Sequence, residues 1–152
     1  MTTENKGRDV SAGGGRSDVI LLVEDNPDDQ VLTERALRAN GIQNPIVIAR
    51  DGVEAVKYLS EQGPDRKRLH GLPRLILLDL GLPKVSGLQV LDYVRRDPET
   101  KGIPIVVLTA SAEDRDYMES RDLGAKCYVE KPVNFDEFIA MVRRMWPLWL
   151  EG

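Results

Sequence analysis

At 152 residues the chain is long enough to bury a core without disulfide or metal staples, and short enough for one domain. No apolar run approaches the ~20 residues of a membrane span, and the opening MTTENKGRDVSAGGGRSD has no apolar stretch of signal-peptide type. A net charge of −4 argues against nucleic-acid binding, and a single cysteine, Cys127, excludes an internal disulfide and fits a reducing cytoplasm.

Residues 1–17 read as a flexible polar tail ending in a run of three glycines. The folded domain is expected over 18–146, with a short extension over 147–152. Val19–Val23 predicts a first strand, and Asn26-Pro27-Asp28-Asp29 then supplies a cap, a first-turn proline and acids that suit a helix N-terminus. Gly41 is a stop for that helix. Pro45–Ala49 predicts a second strand, and Asp51…Glu54 opens a second helix. The charged stretch SEQGPDRKRLHGLPR, with glycine and proline, predicts a long exposed loop. His70 lies in it with no second histidine or cysteine to form a metal set. Leu75–Leu78 is the third strand, and Ser86…Gln89 opens the third helix. Ile103–Leu108 is the fourth strand, with Ser111…Asp114 opening a helix that Gly124 stops. Lys126–Val129 is the fifth strand and Asn134…Glu137 opens the last helix, which Pro147 is expected to interrupt.

The first, third and fourth apolar runs are nearly continuous, as in strands covered on both faces of a parallel sheet. Strand and helix alternate five times. Short connections and right-handed crossovers then give an α/β fold, a doubly wound five-stranded parallel sheet with helices on both sides.

In such a sheet ligands bind beyond the carboxyl ends of the strands. Glu24 and Asp25 end the first strand, Asp79 the third and Thr109 the fourth, and Lys131-Pro132 follow the fifth. Three converging acids repel one another unless a cation joins them. Magnesium suits the task, since it takes oxygen ligands and is held by one or two carboxylates plus phosphate. An Asp carboxylate is a competent nucleophile toward phosphorus, and phosphoryl transfer mainly needs positioning and charge neutralisation. The pattern therefore points to Asp79 as an acceptor, with Lys131 and magnesium neutralising charge and Thr109 donating to a phosphoryl oxygen.

These residues in their contexts, Glu24-Asp25 after ILLV, Asp79 within LLDLGLP, Thr109 within VVLTAS and Lys131-Pro132 after CYVE, resemble the receiver domain of bacterial response regulators, the CheY-like family. The resemblance covers about Val19 to Met145. It implies strand order 2-1-3-4-5 and a cytoplasmic signalling module rather than a turnover enzyme. It also implies that Asp79 accepts a phosphoryl group from a sensor histidine kinase. In the metal site it implies Asp25 and Asp79 as direct magnesium ligands, Glu24 through water, and the backbone carbonyl of Gly81 as a further ligand. Thr109 is then the switch hydroxyl, Lys131 the phosphate partner and Tyr128 the aromatic residue that changes rotamer. Gly81 stands where many receivers carry Asn or Met, so no side chain screens the phosphoryl group there. The long loop, the LPKVSG stretch and the ending in tryptophan and leucine resemble single-domain receivers that serve phytochrome-type kinases. Output is expected through the fourth helix, fifth strand and fifth helix.

Blander roles compete residue by residue. Asp79 taken alone suits a turn, Thr109 a strand end, and Tyr128 a half-buried strand position. Asp28 and Asp29 are explained by the helix N-terminus, and Cys127 by the core. Trp146, Trp149 and Leu150 put apolar area near the chain end. They either fold back or form a homodimer contact beside the fifth helix, and the contact is favoured. Two rivals remain. A phosphatase of the haloacid dehalogenase type requires a second acid where Gly81 stands. A flavodoxin-like carrier requires a Ser/Thr/Gly-rich loop where Glu24–Asp29 stands.

Overall fold

The computed structural model describes residues 17–61, 71–80 and 84–150. The long loop around His70 and the Gly81 carbonyl lie outside the described residues, as does most of the N-terminal tail. In chain order the elements are β1 (Ile20–Val23), α1 (Pro27–Ala39), β2 (Ile46–Ala49), α2 (Gly52–Ser60), β3 (Leu75–Leu80), α3 (Lys84–Arg96), β4 (Ile105–Thr109), α4 (Ala112–Ser120), β5 (Cys127–Glu130) and α5 (Phe135–Trp149). The strands form one sheet in the order β2-β1-β3-β4-β5, with every pairing parallel. The nearly continuous apolar runs are the three central strands. Every residue of β1 and β4 is buried, whereas β5 at the edge is half-buried or exposed throughout.

Strand alternation sorts the core into two layers. Leu21, Val23, Ile76, Leu78, Ile105 and Val107 face one side, against Ala55 and Leu59 of α2, Val90, Leu91 and Val94 of α3 and Met118 of α4. Ile20, Leu22, Leu75, Leu77, Val106 and Leu108 face the other, against Ala36 and Leu37 of α1 and Phe138, Met141, Val142 and Trp149 of α5.

Local chemistry sets the helix starts. Asn26 Oδ1 accepts from the backbone N–H of Asp28 (2.8 Å) and Asp29 (3.1 Å) at the head of α1. Asp51, Ser111 and Asn134 each accept from the N–H three residues on. This satisfies donors that the first helical turn leaves free. The end of α1 is a Schellman turn. Gly41, at φ 76°, donates to Arg38 O, and Ile42 donates to Leu37 O.

Three sequence expectations are corrected. Helix α3 starts at Lys84, so Ser86 lies inside it rather than capping it. Helix α4 ends at Ser120. The left-handed turn that follows its cap is Asp122 (φ 50°), two residues ahead of Gly124. Helix α5 runs through Pro147 to Trp149. The missing N–H falls in its final turn, and burial of Trp149 in the α1/α5 layer anchors that turn against the loss.

Candidate functional site

The register fixes what meets at the sheet's carboxyl edge. Val23 lies opposite Leu78, which sets the next residues, Glu24 and Asp79, abreast. By strand alternation both continue the series that faces α1 and α5. Glu24 is buried and Asp79 is 5% exposed, while Asp25, on the alternate side, is exposed.

Asp79 Oδ2 accepts from Lys131 Nζ at 2.7 Å and from Thr33 Oγ1 at 3.2 Å. The backbone brings Lys131 there: its N–H donates to Thr109 O at 2.7 Å, carrying the β4–β5 ladder one step past β5. Its ammonium stands 5.9 Å from the Phe138 ring centroid, so its stem lies along α5. Glu24 Oε2 accepts from the Asn26 N–H at 2.9 Å, but Glu24 Oε1 is buried with no hydrogen-bond partner among the described residues. Burial first, and then the neighbouring Asp79 carboxylate, push the Glu24 carboxyl up to about 9.

An orphaned buried carboxylate oxygen beside a second carboxylate is a place that suits a hard cation. The donor set of Glu24, Asp25 and Asp79 is all oxygen, as magnesium requires. Among the described residues no three acidic, histidine or cysteine side chains already close into a metal-ligating cluster.

Thr109 and Tyr128 sit toward the α4 side. Thr109 is buried and donates to Ser111 O at 3.1 Å rather than toward Asp79. Tyr128 Oη accepts from the backbone N–H of Leu123 (3.1 Å) and Ala125 (3.3 Å), which fastens the ring to the loop before β5. The structure thus unites Glu24, Asp79 and Lys131, sets Asp25 beside them, and holds Thr109 and Tyr128 one layer away.

The chain-end expectation is corrected in part. Trp149 is 1% exposed and belongs to the core, so it offers no surface to a partner. Trp146 is half-buried against the same layer, edge-on to Trp149 at 6.4 Å between centroids, and Leu150 is half-buried. The exposed apolar residue of this segment is Leu148. Cys127 is half-buried and burial pushes its thiol up, as befits a packing residue.

Sequence reasoning missed Thr33. The available signal was one hydroxyl in the buried stripe of α1, alongside Ala36 and Leu37.

Residues 20–143 match the family model described as response regulator receiver domain. The chain is 40% identical over 133 residues to response regulator Rcp1 of Synechocystis sp. strain PCC 6803, covering 88% of this chain and 89% of that protein. The Mn(2+)-bound form of Rcp1 superposes with a TM-score of 0.69 at 39% identity, over 89% of this chain and 96% of that one. The phosphorylated cyanobacterial phytochrome response regulator RcpA gives 0.71 at 38% identity, over 90% and 96%. The receiver domain of sensor histidine kinase PA1611 from Pseudomonas aeruginosa PAO1, with magnesium in its active-site cleft, gives 0.62 at 30% identity, over 90% and 99%.

Proposed function

The chain belongs to the response regulator receiver family of two-component signalling, and we propose that it takes a phosphoryl group onto Asp79 from a sensor histidine kinase in the cytoplasm. The observation that carries this reading is the pairing of a nearly buried Asp79 carboxylate with the Lys131 ammonium at 2.7 Å, beside the orphaned Glu24 oxygen. A magnesium ion held by Asp25 and Asp79, with Glu24 through water, would neutralise charge on the transferring group. The chain's own residues do the rest. Asp79 is the nucleophile, Lys131 pairs with the incoming phosphoryl oxygens, and burial around Asp79 limits water at the reacting centre. The partner kinase is proposed to be phytochrome-type, supported by the likeness to RcpA.

Output is proposed to run through Thr109 and Tyr128. Drawing Thr109 from Ser111 O toward a phosphate vacates space on the α4 side. Tyr128 can then turn in only by giving up its bonds to the Leu123 and Ala125 amides. That change repacks the α4–β5–α5 face, where Tyr117 is exposed and carries Arg121 over its ring at 5.5 Å. We propose this face, together with Leu148, Trp146 and Leu150, as the protein contact, a homodimer included.

Intact-mass measurement after acetyl phosphate and magnesium tests the reading. One added phosphoryl group is expected on the wild type and none on Asp79→Asn. An equal gain on both contradicts it.

A further inference from the structure

We propose that Thr33 is a positioning residue for the acceptor. Its hydroxyl holds Asp79 Oδ2 so that the other carboxylate oxygen is the one presented to the phosphoryl donor. The inference rests on Asp79 being the acceptor, as proposed above. Thr33 is 1% exposed, and its Oγ1 donates to Asp79 Oδ2 over 3.2 Å. The fold explains the reach, because Leu75 and Leu77 pack among α1 and α5 and Asp79 is next in that alternating series. A helical threonine often bonds back to a carbonyl of its own helix. Here the hydroxyl crosses to β3 instead.

Lys131 Nζ binds the same oxygen, but the two donors differ in freedom. The ammonium ends a flexible stem with 19% of the side chain exposed, so it can follow a new anion. Thr33 is β-branched, buried and fixed by α1. As phosphorus arrives, Lys131 shifts to the phosphoryl oxygens while Thr33 stays on Oδ2. Oδ1 then attacks phosphorus, and the bond from phosphorus to the donor's leaving atom breaks. The leaving group departs with that electron pair, and an acyl phosphate results. Oδ2 becomes its carbonyl oxygen and still accepts from Thr33. Without the hydroxyl, the carboxylate turns about a broad terminal torsion and spends less time in reactive geometry.

The test compares wild type, Thr33→Val and Thr33→Ser in the rate of phosphoryl gain from acetyl phosphate with magnesium, read by intact mass on the full chain. Valine keeps the shape and drops the hydroxyl, and serine keeps the hydroxyl and drops the methyl. The valine variant is expected to be about tenfold slower, and the serine variant to recover most of the rate. A packing role gives the reverse order, and that order or equal rates in all three overturns the inference. Should Thr33→Val fail to fold, Thr33→Ala is expected to show the same slowing, and a wild-type rate in it overturns the inference. A wild type that gains no phosphoryl group removes the acceptor reading itself, and this inference with it.

Discussion

Lys131 and Asp79 form an ion pair at 2.7 Å in which the acid is almost wholly buried and the base is mostly so. The pair also sits beside Glu24, whose carboxyl is raised by burial and by Asp79. Removing the ammonium strands a buried negative charge next to a second acid. Lys131→Met is therefore expected to destabilise the fold by about 2–3 kcal/mol, below the full range for a broken buried pair because water reaches the lysine. Adding Asp79→Asn is expected to recover most of that loss, since the amide can donate to the orphaned Glu24 Oε1. Urea unfolding of both singles and the double measures the coupling. Additive effects would mean that the pair is not a unit.

Trp149 closes the α1/α5 layer from beyond Pro147. Trp149→Ala is expected to lower stability by about 3–5 kcal/mol, as for a large core side chain. Leu148→Ala, on the exposed side of the same turn, is expected to change it by less than about 0.5 kcal/mol. Thermal or urea midpoints decide, and equal effects would refute the burial assignment.

Tyr58 Oη, on α2, is buried with no hydrogen-bond partner among the described residues, and burial pushes its phenol up to about 12 from 10.0. The unfolded chain releases this proton near 10 while the folded chain keeps it. The contribution is thus fully present below pH 10 and is lost as pH climbs from 10 to 12. Tyr58→Phe is expected to raise stability by about 1 kcal/mol at neutral pH, because no hydrogen bond is lost with the hydroxyl. It is also expected to flatten the decline above pH 10 relative to wild type. A variant less stable than wild type at pH 7 would point to a partner for the hydroxyl.

Much of this was legible from the chain. Runs of apolar residues named the three central strands because a parallel sheet buries both faces, and the acids that end β1 and β3 marked the sheet's carboxyl edge. Caps at Asn26, Asp51, Ser111 and Asn134 followed from side-chain chemistry acting over three residues. What escaped depends on tertiary context. Helix α5 passes Pro147 because Trp149 finds a buried site. Asp122 takes a left-handed turn expected of glycine. Thr33 looked like an ordinary helical residue until β3 set Asp79 against it.

An acyl phosphate is reduced by borohydride to the alcohol, so an aspartyl phosphate becomes homoserine at its own position. The most direct measurement is therefore borohydride treatment of the acetyl-phosphate-loaded chain, followed by peptide mapping. Homoserine at position 79, absent when magnesium is omitted, is the expected result. Homoserine at Asp25 or another acid, or none at all in a chain that has gained phosphate, would contradict Asp79 as the acceptor.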